Sequence, residues 1–212
     1  MKKVHSFESA IPAFLLVILF TLASFSGCGK EPDNVSDYPY SIGSKWTYAV
    51  YDSLMQRSYT ETVEITGTTQ LNNGMSAKVF KSTFSINEDS IAYSYLIENT
   101  DTLIFLIINK YSAAAMTTYL IDRIYVYPFE VGSQWYNQHV GDSSRVSSYE
   151  NTIVPAGNFN TLKIIRKISA LNYYLTENEW YSPSIGMIKR EQNRYSFANA
   201  NKSYQLISYQ LK

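Results

Sequence analysis

A nine-residue motif that occurs twice constrains this chain more than any other feature. Residues 38–46 and 127–135 both read tyrosine, proline, aromatic, any residue, branched aliphatic, glycine, serine, any residue, tryptophan. Proline fixes φ and cannot donate a ladder hydrogen bond, glycine permits a positive φ, and tryptophan favours strands. Each copy therefore predicts a kinked entry into a β-strand. We interpret the chain as two related halves, residues 38–126 and 127–212.

The segments that follow each copy alternate between apolar and polar residues. Trp46, Tyr48 and Val50 fall on one face of a strand, and such a period of two indicates half-buried strands. The run 103–108 is apolar on both faces and predicts a central strand that is covered on each side. Only residues 112–116 allow a short helical turn. We count about eleven or twelve strands joined mostly by short turns.

This count predicts an all-β, mainly antiparallel domain over residues 38–212, built as a strongly curved sheet or half-open barrel. Two turns are specific enough to predict in detail. Residues 72–74, Asn-Asn-Gly, suit a hairpin turn that needs a positive φ. Residues 155–157, Pro-Ala-Gly, predict a three-residue hairpin with the glycine in the left-handed conformation.

The N-terminus has the features of a secretory signal. Lys2 and Lys3 precede the apolar run 11–23, which is too short to span a bilayer comfortably, and small residues follow it. We therefore predict a lipoprotein-type signal peptide over residues 1–27. Cys28 is the only cysteine, and its setting resembles the lipobox at which bacterial lipoproteins are acylated on the thiol. The alternative is ordinary signal cleavage, which leaves Cys28 as an unpaired thiol.

An acylated Cys28 would anchor the chain to a membrane without a transmembrane helix. Residues 28–37 are polar and lack periodicity, so we predict a flexible tether. The expected location is the outer membrane, on its periplasmic or cell-surface face. The charged opening 28–31 resembles a segment that favours surface export in Bacteroidetes lipoproteins, although any tether is polar.

Charge and composition limit the kinds of binding partner that we expect. The chain has 18 basic and 18 acidic residues, with no strong block of either sign. Binding to phosphate backbones needs a concentrated positive face, so we expect no nucleic-acid partner. The 19 tyrosines indicate strand propensity first and a ligand surface second.

Catalytic signals are weak. His139 is the only histidine after the predicted signal, and its neighbours Asp142 and Ser143 are too close along one hairpin to converge as a triad. Glu177 and Glu179 are two residues apart, so on a strand both point to one face, as the paired carboxylates of glycoside hydrolases do. Ordinary solvated side chains explain this pair equally simply. We expect no enzyme, no cofactor and no metal.

The three tryptophans are candidates for core anchors or for a flat platform under a sugar ring or lipid tail. A basic strip facing an anionic headgroup or glycan is a further option, although a solvated face is the default. The candidate ligand-binding residues are Trp46, Tyr48, Trp135, Trp180 and Tyr181. The candidate strip consists of Lys163, Arg166, Lys167, Lys189, Arg190 and Arg194.

Residues 42–48, 154–163 and 180–189 resemble the pattern of uncharacterised Bacteroidetes-type outer-membrane lipoproteins. Their shared signs are an opening glycine and tryptophan, a Val-Pro-Ala-Gly-x-Phe turn, and a Trp-Tyr strand followed by glycine, two hydrophobic residues and lysine. Such proteins resemble the curved half-barrels of lipoprotein carriers, whose concave face shelters acyl chains. The resemblance implies a non-catalytic envelope lipoprotein that binds a hydrophobic or amphipathic, lipid-like ligand. The alternative is a surface scaffold lipoprotein that binds a protein or glycan partner.

Overall fold

A computed structural model describes residues 39–109, 118–137, 141–170, 173–195 and 200–212 of the chain. All regular structure in these ranges is β, and no helix occurs within them. The strands are β1 Lys45–Asp52, β2 Arg57–Gln70, β3 Ser76–Phe84, β4 Asn87–Glu98, β5 Thr102–Asn109, β6 Thr118–Val126, β7 Gln134–Asn137, β8 Asp142–Val154, β9 Gly157–Ala170, β10 Tyr173–Ser182, β11 Gly186–Tyr195 and β12 Ala200–Gln210.

Several sequence predictions fall outside the described ranges. They are the signal peptide, the acylated Cys28, the tether, His139 and the helical turn at 112–116. All twelve strands belong to one compact unit, Pro32–Lys212, which contains the whole of the described core. This part of the chain is therefore a self-contained folding unit, and it is the part used in the binding experiments below.

The strands form one antiparallel sheet in the order β6-β5-β4-β3-β2-β1-β12-β11-β10-β9-β8-β7. Each strand pairs with its neighbours in sequence, except that β6 and β7 do not pair, and β1 also pairs with β12. The result is a nearly closed, barrel-like sheet with one unsealed seam between its two ends, β6 and β7. The predicted all-β class, strong curvature and strand number are confirmed.

The position predicted for residues 103–108 is wrong. They form β5, which lies next to the terminal strand β6 and not at the centre of the sheet. Both faces are apolar because each meets a separate cluster. Leu103 lies in the main core, while Leu106 packs with Leu71 and Ile97 in a second, smaller cluster.

Both copies of the repeated motif make the same backbone hydrogen bonds. The Gly43 amide donates to the Ile65 carbonyl (2.8 Å), and the Ile65 amide donates to the residue after that glycine (3.0 Å). Gly132 and Val146 make the same two bonds in the second copy, at 2.9 and 3.0 Å. The glycines have φ of 89° and 100°. Each copy therefore enters its strand through the same kink, as the motif predicts.

A shared irregularity extends this match into the sheet. A β-bulge follows Ile65 on β2 and Val146 on β8. Across the next pairing, Ile65 lies opposite Phe80 and Val146 lies opposite Ile164. Since the bulges fix the registers, inward-facing residues of β2–β4 can be matched one by one with those of β8–β10.

Gly132→Ala should lower the free energy of unfolding by about 1–2 kcal/mol, because an L side chain is strained at a positive φ. A Cβ at this position would meet nothing within 4 Å, so backbone strain is the whole effect. Gly67→Ala is the matched control, since Gly67 also has open space around it but has no positive φ. Urea unfolding of the two variants measures the difference, and equal stabilities would contradict the role of the kink.

The two predicted turns differ in outcome. Gly74 has φ of 78°, and the Leu71 amide donates to the Met75 carbonyl across the turn (2.8 Å), as the Asn-Asn-Gly pattern predicts. The prediction of a three-residue hairpin at 155–157 is wrong. Val154 pairs directly with Gly157, which leaves a two-residue loop, and φ of this glycine is 139°.

Candidate ligand-binding cavity

A cavity of about 290 Å³ lies on the inner face of the sheet, mainly between the strands of the first half. Its volume is close to the lower end of the range for small-molecule sites, about 300–1,000 Å³. One side is apolar and aromatic. The other side carries charged residues from β2, β6 and β11. The residues that define these two sides are Tyr40, Trp46, Phe80 and Phe105 on the apolar side, and Glu61, Asp122, Arg123 and Arg190 on the charged side.

The aromatic side is held by ring contacts and by a hydrogen bond. Phe80 lies edge-to-face with Tyr40 and Phe105, with ring centroids 5.8 and 5.7 Å apart, and is stacked on Trp46 at 14°. The Trp46 indole donates to the Ile185 carbonyl (2.6 Å). Because these rings are fixed to the backbone and to one another, they form a preformed apolar wall.

The cavity exists because three inward-facing residues on β3 and β4 are small. Register places two of them opposite each other and the third opposite Phe80. The residues at the matching positions of β9 and β10 are all charged and fill the interior of the second half. The small residues are Ser82, Ala92 and Ser94. Their counterparts are, respectively, Arg166, Glu177 and Glu179.

The charged counterparts belong to a buried ion network beside the cavity. Glu177 and Glu179 are only 1% and 2% exposed. Arg123, from β6, reaches across the interior to Glu179 (2.5 Å) and Glu177 (3.2 Å). Arg190 contacts Glu179 at 3.1 Å, and Arg166 contacts the buried Asp142 at 2.6 Å. The network therefore fixes β6 against β10 on the inside of the barrel.

The network strongly shifts the pKa of Glu177. Burial alone would raise this pKa, but the guanidinium groups of Arg123, Arg190 and Arg166 lower it to about 2. At Asp142 the effect of burial is the larger one, so the pKa of this carboxyl is raised although the contact with Arg166 lowers it. Glu177 is therefore a permanent anion in neutral solution, and its charge is a structural component.

Acid should destabilise the protein as Glu177 becomes protonated. In the unfolded chain its pKa is about 4.3. The folded value of about 2 lies below this, so the contribution of Glu177 is complete above pH 4.3. It is lost as the pH falls towards 2, by about 3 kcal/mol. Asp142, with its raised pKa, partly offsets this loss.

Urea unfolding at pH 6 and pH 2.5, with Glu177→Gln as the comparison, measures this contribution. The variant should be less stable at pH 6 and should lose much less stability on acidification. Equal losses in the two proteins would contradict the assignment.

The five candidate binding residues separate into two groups. Trp46, Tyr48 and Tyr181 line the cavity. Trp135 lies at the seam, where it stacks on Phe129 at 11° and donates to a carbonyl of β6 (2.7 Å). This tryptophan thus connects β7 to the edge of β6. The connection is a hydrogen bond from a side chain, since the two strands do not pair through their backbones.

Trp180 lies on the opposite face of the sheet from the cavity. Its ring is covered by the ammonium groups of Lys163 and Lys189, 5.0 and 4.4 Å from the ring centroid. Its indole donates to Glu150 at 2.8 Å. The side chain is only 8% exposed, so these polar neighbours occupy its surface.

The predicted basic strip does not form. Because side chains alternate along a strand, Arg166 and Arg190 point inward to the ion network, whereas Lys163 and Lys189 cover Trp180 on the outside. Glu177 and Glu179 do share one face, as predicted, but that face is buried and engaged by arginines. Across the described ranges, no cluster of acidic, histidine or cysteine side chains could hold a metal, and no helix could cross a bilayer.

The sequence analysis missed most of the cavity. Phe80 and Phe105 alternate correctly for inward positions, but nothing marked them as a ligand surface. The small residues Ser82 and Ala92 carried no signal individually. The motif spacing alone would not have found them, because it aligns Ser82 with Leu171; the match to Arg166 depends on the bulge registers of β2 and β8.

The fold and the cavity define a class, a barrel-like antiparallel β protein with an internal cavity. No protein-family model matches the sequence, and no curated protein matches it. Two solved structures are similar.

One is a Bacteroides fragilis protein provisionally described as exported, with a YmcC-like fold. It shows 14% identity, a TM-score of 0.51 and coverage of 82% of this chain and 98% of that one. The other, provisionally described as a Parabacteroides distasonis lipoprotein, shows 15% identity, the same coverages and a TM-score of 0.40. The first likeness establishes a shared fold alone, and membership of a lipoprotein family stays a prediction.

Proposed function

We propose that the protein is a non-catalytic lipoprotein of the cell envelope that holds one hydrophobic or amphipathic ligand inside its barrel. One observation carries the proposal: the second half of the interior is filled by a charged network, while the matching positions of the first half leave a cavity. Ala92 is exposed and Ile107 is 40% exposed, so this cavity opens to solvent. A concave, accessible space bounded by preformed aromatic rings is best explained as a site for a ligand.

The lining supports a ligand that is apolar at one end and polar at the other. Phe80, Phe105 and Trp46 offer ring surfaces to a hydrocarbon chain. Arg123 and Arg190 lie on the charged side. A ligand without a polar end would leave this side without compensation for lost water, since buried charged groups need partners.

The envelope location is supported by the predicted signal peptide and by Cys28. The similar structures are described as an exported protein and a lipoprotein, which agrees with this location. We infer acylation of Cys28 and anchoring in the outer membrane, where a lipid-like ligand is at hand.

Replacing Cys28 with serine should move the protein from the detergent phase to the aqueous phase in a detergent phase-separation experiment. Acyl chains contribute about 0.8 kcal/mol per buried methylene, and a serine hydroxyl cannot receive them through a thioether. Ser24→Ala is the control and should stay in the detergent phase. Unchanged partitioning of Cys28→Ser would contradict the anchor.

Native mass spectrometry of residues 32–212, exported to the periplasm, tests the bound ligand. We expect a one-to-one adduct that organic extraction removes, and saturable rebinding of a dodecyl-chain amphiphile. An empty protein that also fails to bind such an amphiphile would refute the proposal. A stoichiometric protein partner from envelope extracts, together with an empty cavity, would favour the scaffold alternative.

A further inference from the structure

The charged side of the cavity offers both unused hydrogen-bond donors and unused carboxylate oxygens. This feature determines which polar headgroup the ligand can carry. The inference rests on the proposed function and refines it.

Arg190 supplies the donor. Its Nε and Nη2 both contact Glu179, at 3.2 and 3.1 Å. Among the described residues no hydrogen bond or ion pair joins its Nη1. The side chain is 17% exposed and lines the cavity. One edge of this guanidinium is thus committed to the network, and the other edge is available to an oxyanion.

Glu61 supplies the acceptor. It lies on β2 directly opposite Tyr48 of β1, is half-buried, and lines the cavity. No described residue forms a hydrogen bond or ion pair with its carboxylate. The pKa of Tyr48 is raised first by burial, and Glu61 raises it further against the opposing effect of Arg190. The charges of Glu61 and Arg190 therefore act on the pKa of Tyr48 in opposite directions.

Asp122, from β6, supplies a second acceptor. Its Oδ2 contacts Arg123 at 3.1 Å, its side chain is 40% exposed, and no described residue pairs with its Oδ1. The lining therefore contains two guanidinium groups and two carboxylates. A headgroup with a single charge would leave either the free edge of Arg190 or the carboxylate of Glu61 without a partner.

The two unused groups line the same cavity. Glu61 and Arg190 point inward from β2 and β11, which are separated by β1 and β12. Three inter-strand spacings of about 4.8 Å span about 14 Å along the sheet. Curvature of the barrel and the lengths of both side chains bring the charged ends closer together than this.

We propose that the cavity selects a zwitterionic single-chain amphiphile, with an oxyanion at the free edge of Arg190 and an ammonium group at Glu61. The apolar chain lies against Phe80 and Phe105. A phosphoethanolamine headgroup has this chemistry. Such a ligand satisfies both groups.

Three amphiphiles with the same twelve-carbon chain test the headgroup: dodecyl phosphate, dodecylammonium and dodecylphosphoethanolamine, each titrated below its micelle concentration into residues 32–212. We expect the zwitterion to bind at least tenfold more tightly than either of the other two compounds. Equal affinity for all three would overturn this inference and leave the proposed function standing. Failure of all three to bind would overturn the proposed function as well.

The variant Glu61→Gln tests the contribution of the headgroup to affinity independently of the hydrocarbon chain. Binding of dodecylphosphoethanolamine and dodecylammonium should weaken about fivefold to tenfold, while that of dodecyl phosphate should stay the same or strengthen. Glu64→Gln is the control, because Glu64 pairs with Lys45 (3.1 Å) and does not line the cavity. An equal loss for all three compounds in Glu61→Gln would contradict an ammonium site at Glu61.

Discussion

Replacing Arg123 with methionine should lower the free energy of unfolding by about 3–5 kcal/mol, which is the usual cost of removing one partner from a buried ion pair. Arg123 contacts Glu179 at 2.5 Å and Glu177 at 3.2 Å, and its side chain is only 7% exposed. Methionine keeps most of the volume and removes the charge. The two glutamates would then be buried with less compensation. Urea unfolding at pH 7 measures the loss.

Two further variants separate charge from packing. Arg145→Met removes a guanidinium from an exposed position and should change stability by less than about 0.5 kcal/mol. The double variant Arg123→Met with Glu179→Gln should recover part of the loss, because one uncompensated charge is removed as well. If Arg123→Met were as stable as Arg145→Met, the network would contribute little to holding β6 against β10.

Ser94→Trp should abolish binding of a dodecyl-chain amphiphile while preserving the fold. Ser94 faces the cavity from β4, and its counterpart in the second half is Glu179, a large side chain that fills the interior there. An indole at this position would project into the cavity of about 290 Å³ and contact its aromatic wall. We expect affinity to fall at least hundredfold, with the thermal midpoint unchanged or higher because empty space is filled.

Lys81→Trp is the matched control for that experiment. Lys81 lies on the neighbouring strand β3, between the inward-facing Phe80 and Ser82, so its side chain is on the outer face. A tryptophan there adds the same chromophore without entering the cavity, and affinity should be unchanged. Equal affinity in the two variants would show that the amphiphile binds elsewhere.

The two halves share a backbone plan and use it differently. Val146 and Ile65 occupy the same bulged register, yet beyond them the first half has Ser82 where the second half has Arg166. The small residues of β3 and β4 leave a cavity at positions where the charged residues of β9 and β10 fill the interior. The two halves are joined across the interior, because Arg123 from β6 contacts Glu179 of β10.

Local patterns predicted the strands because a period of two is visible in any window of the sequence. Trp46 and Tyr48 were correctly placed on one face for this reason. The cavity could not be predicted, since it depends on which residues meet across the barrel. Arg123 and Glu179 are 56 positions apart, and no local feature links them. The inward or outward direction of Trp180 likewise depends on the register of β10, where a bulge follows that residue.

Methyl NMR of residues 32–212, recorded with and without dodecylphosphoethanolamine, tests the internal site most directly. Ala92, Ile107 and Met187 line the cavity, whereas Leu54 and Ile153 are 63% and 77% exposed and do not. We predict saturable shifts at the first three residues and none at the other two. Shifts at Leu54 and Ile153 with an unchanged interior would contradict binding inside the barrel.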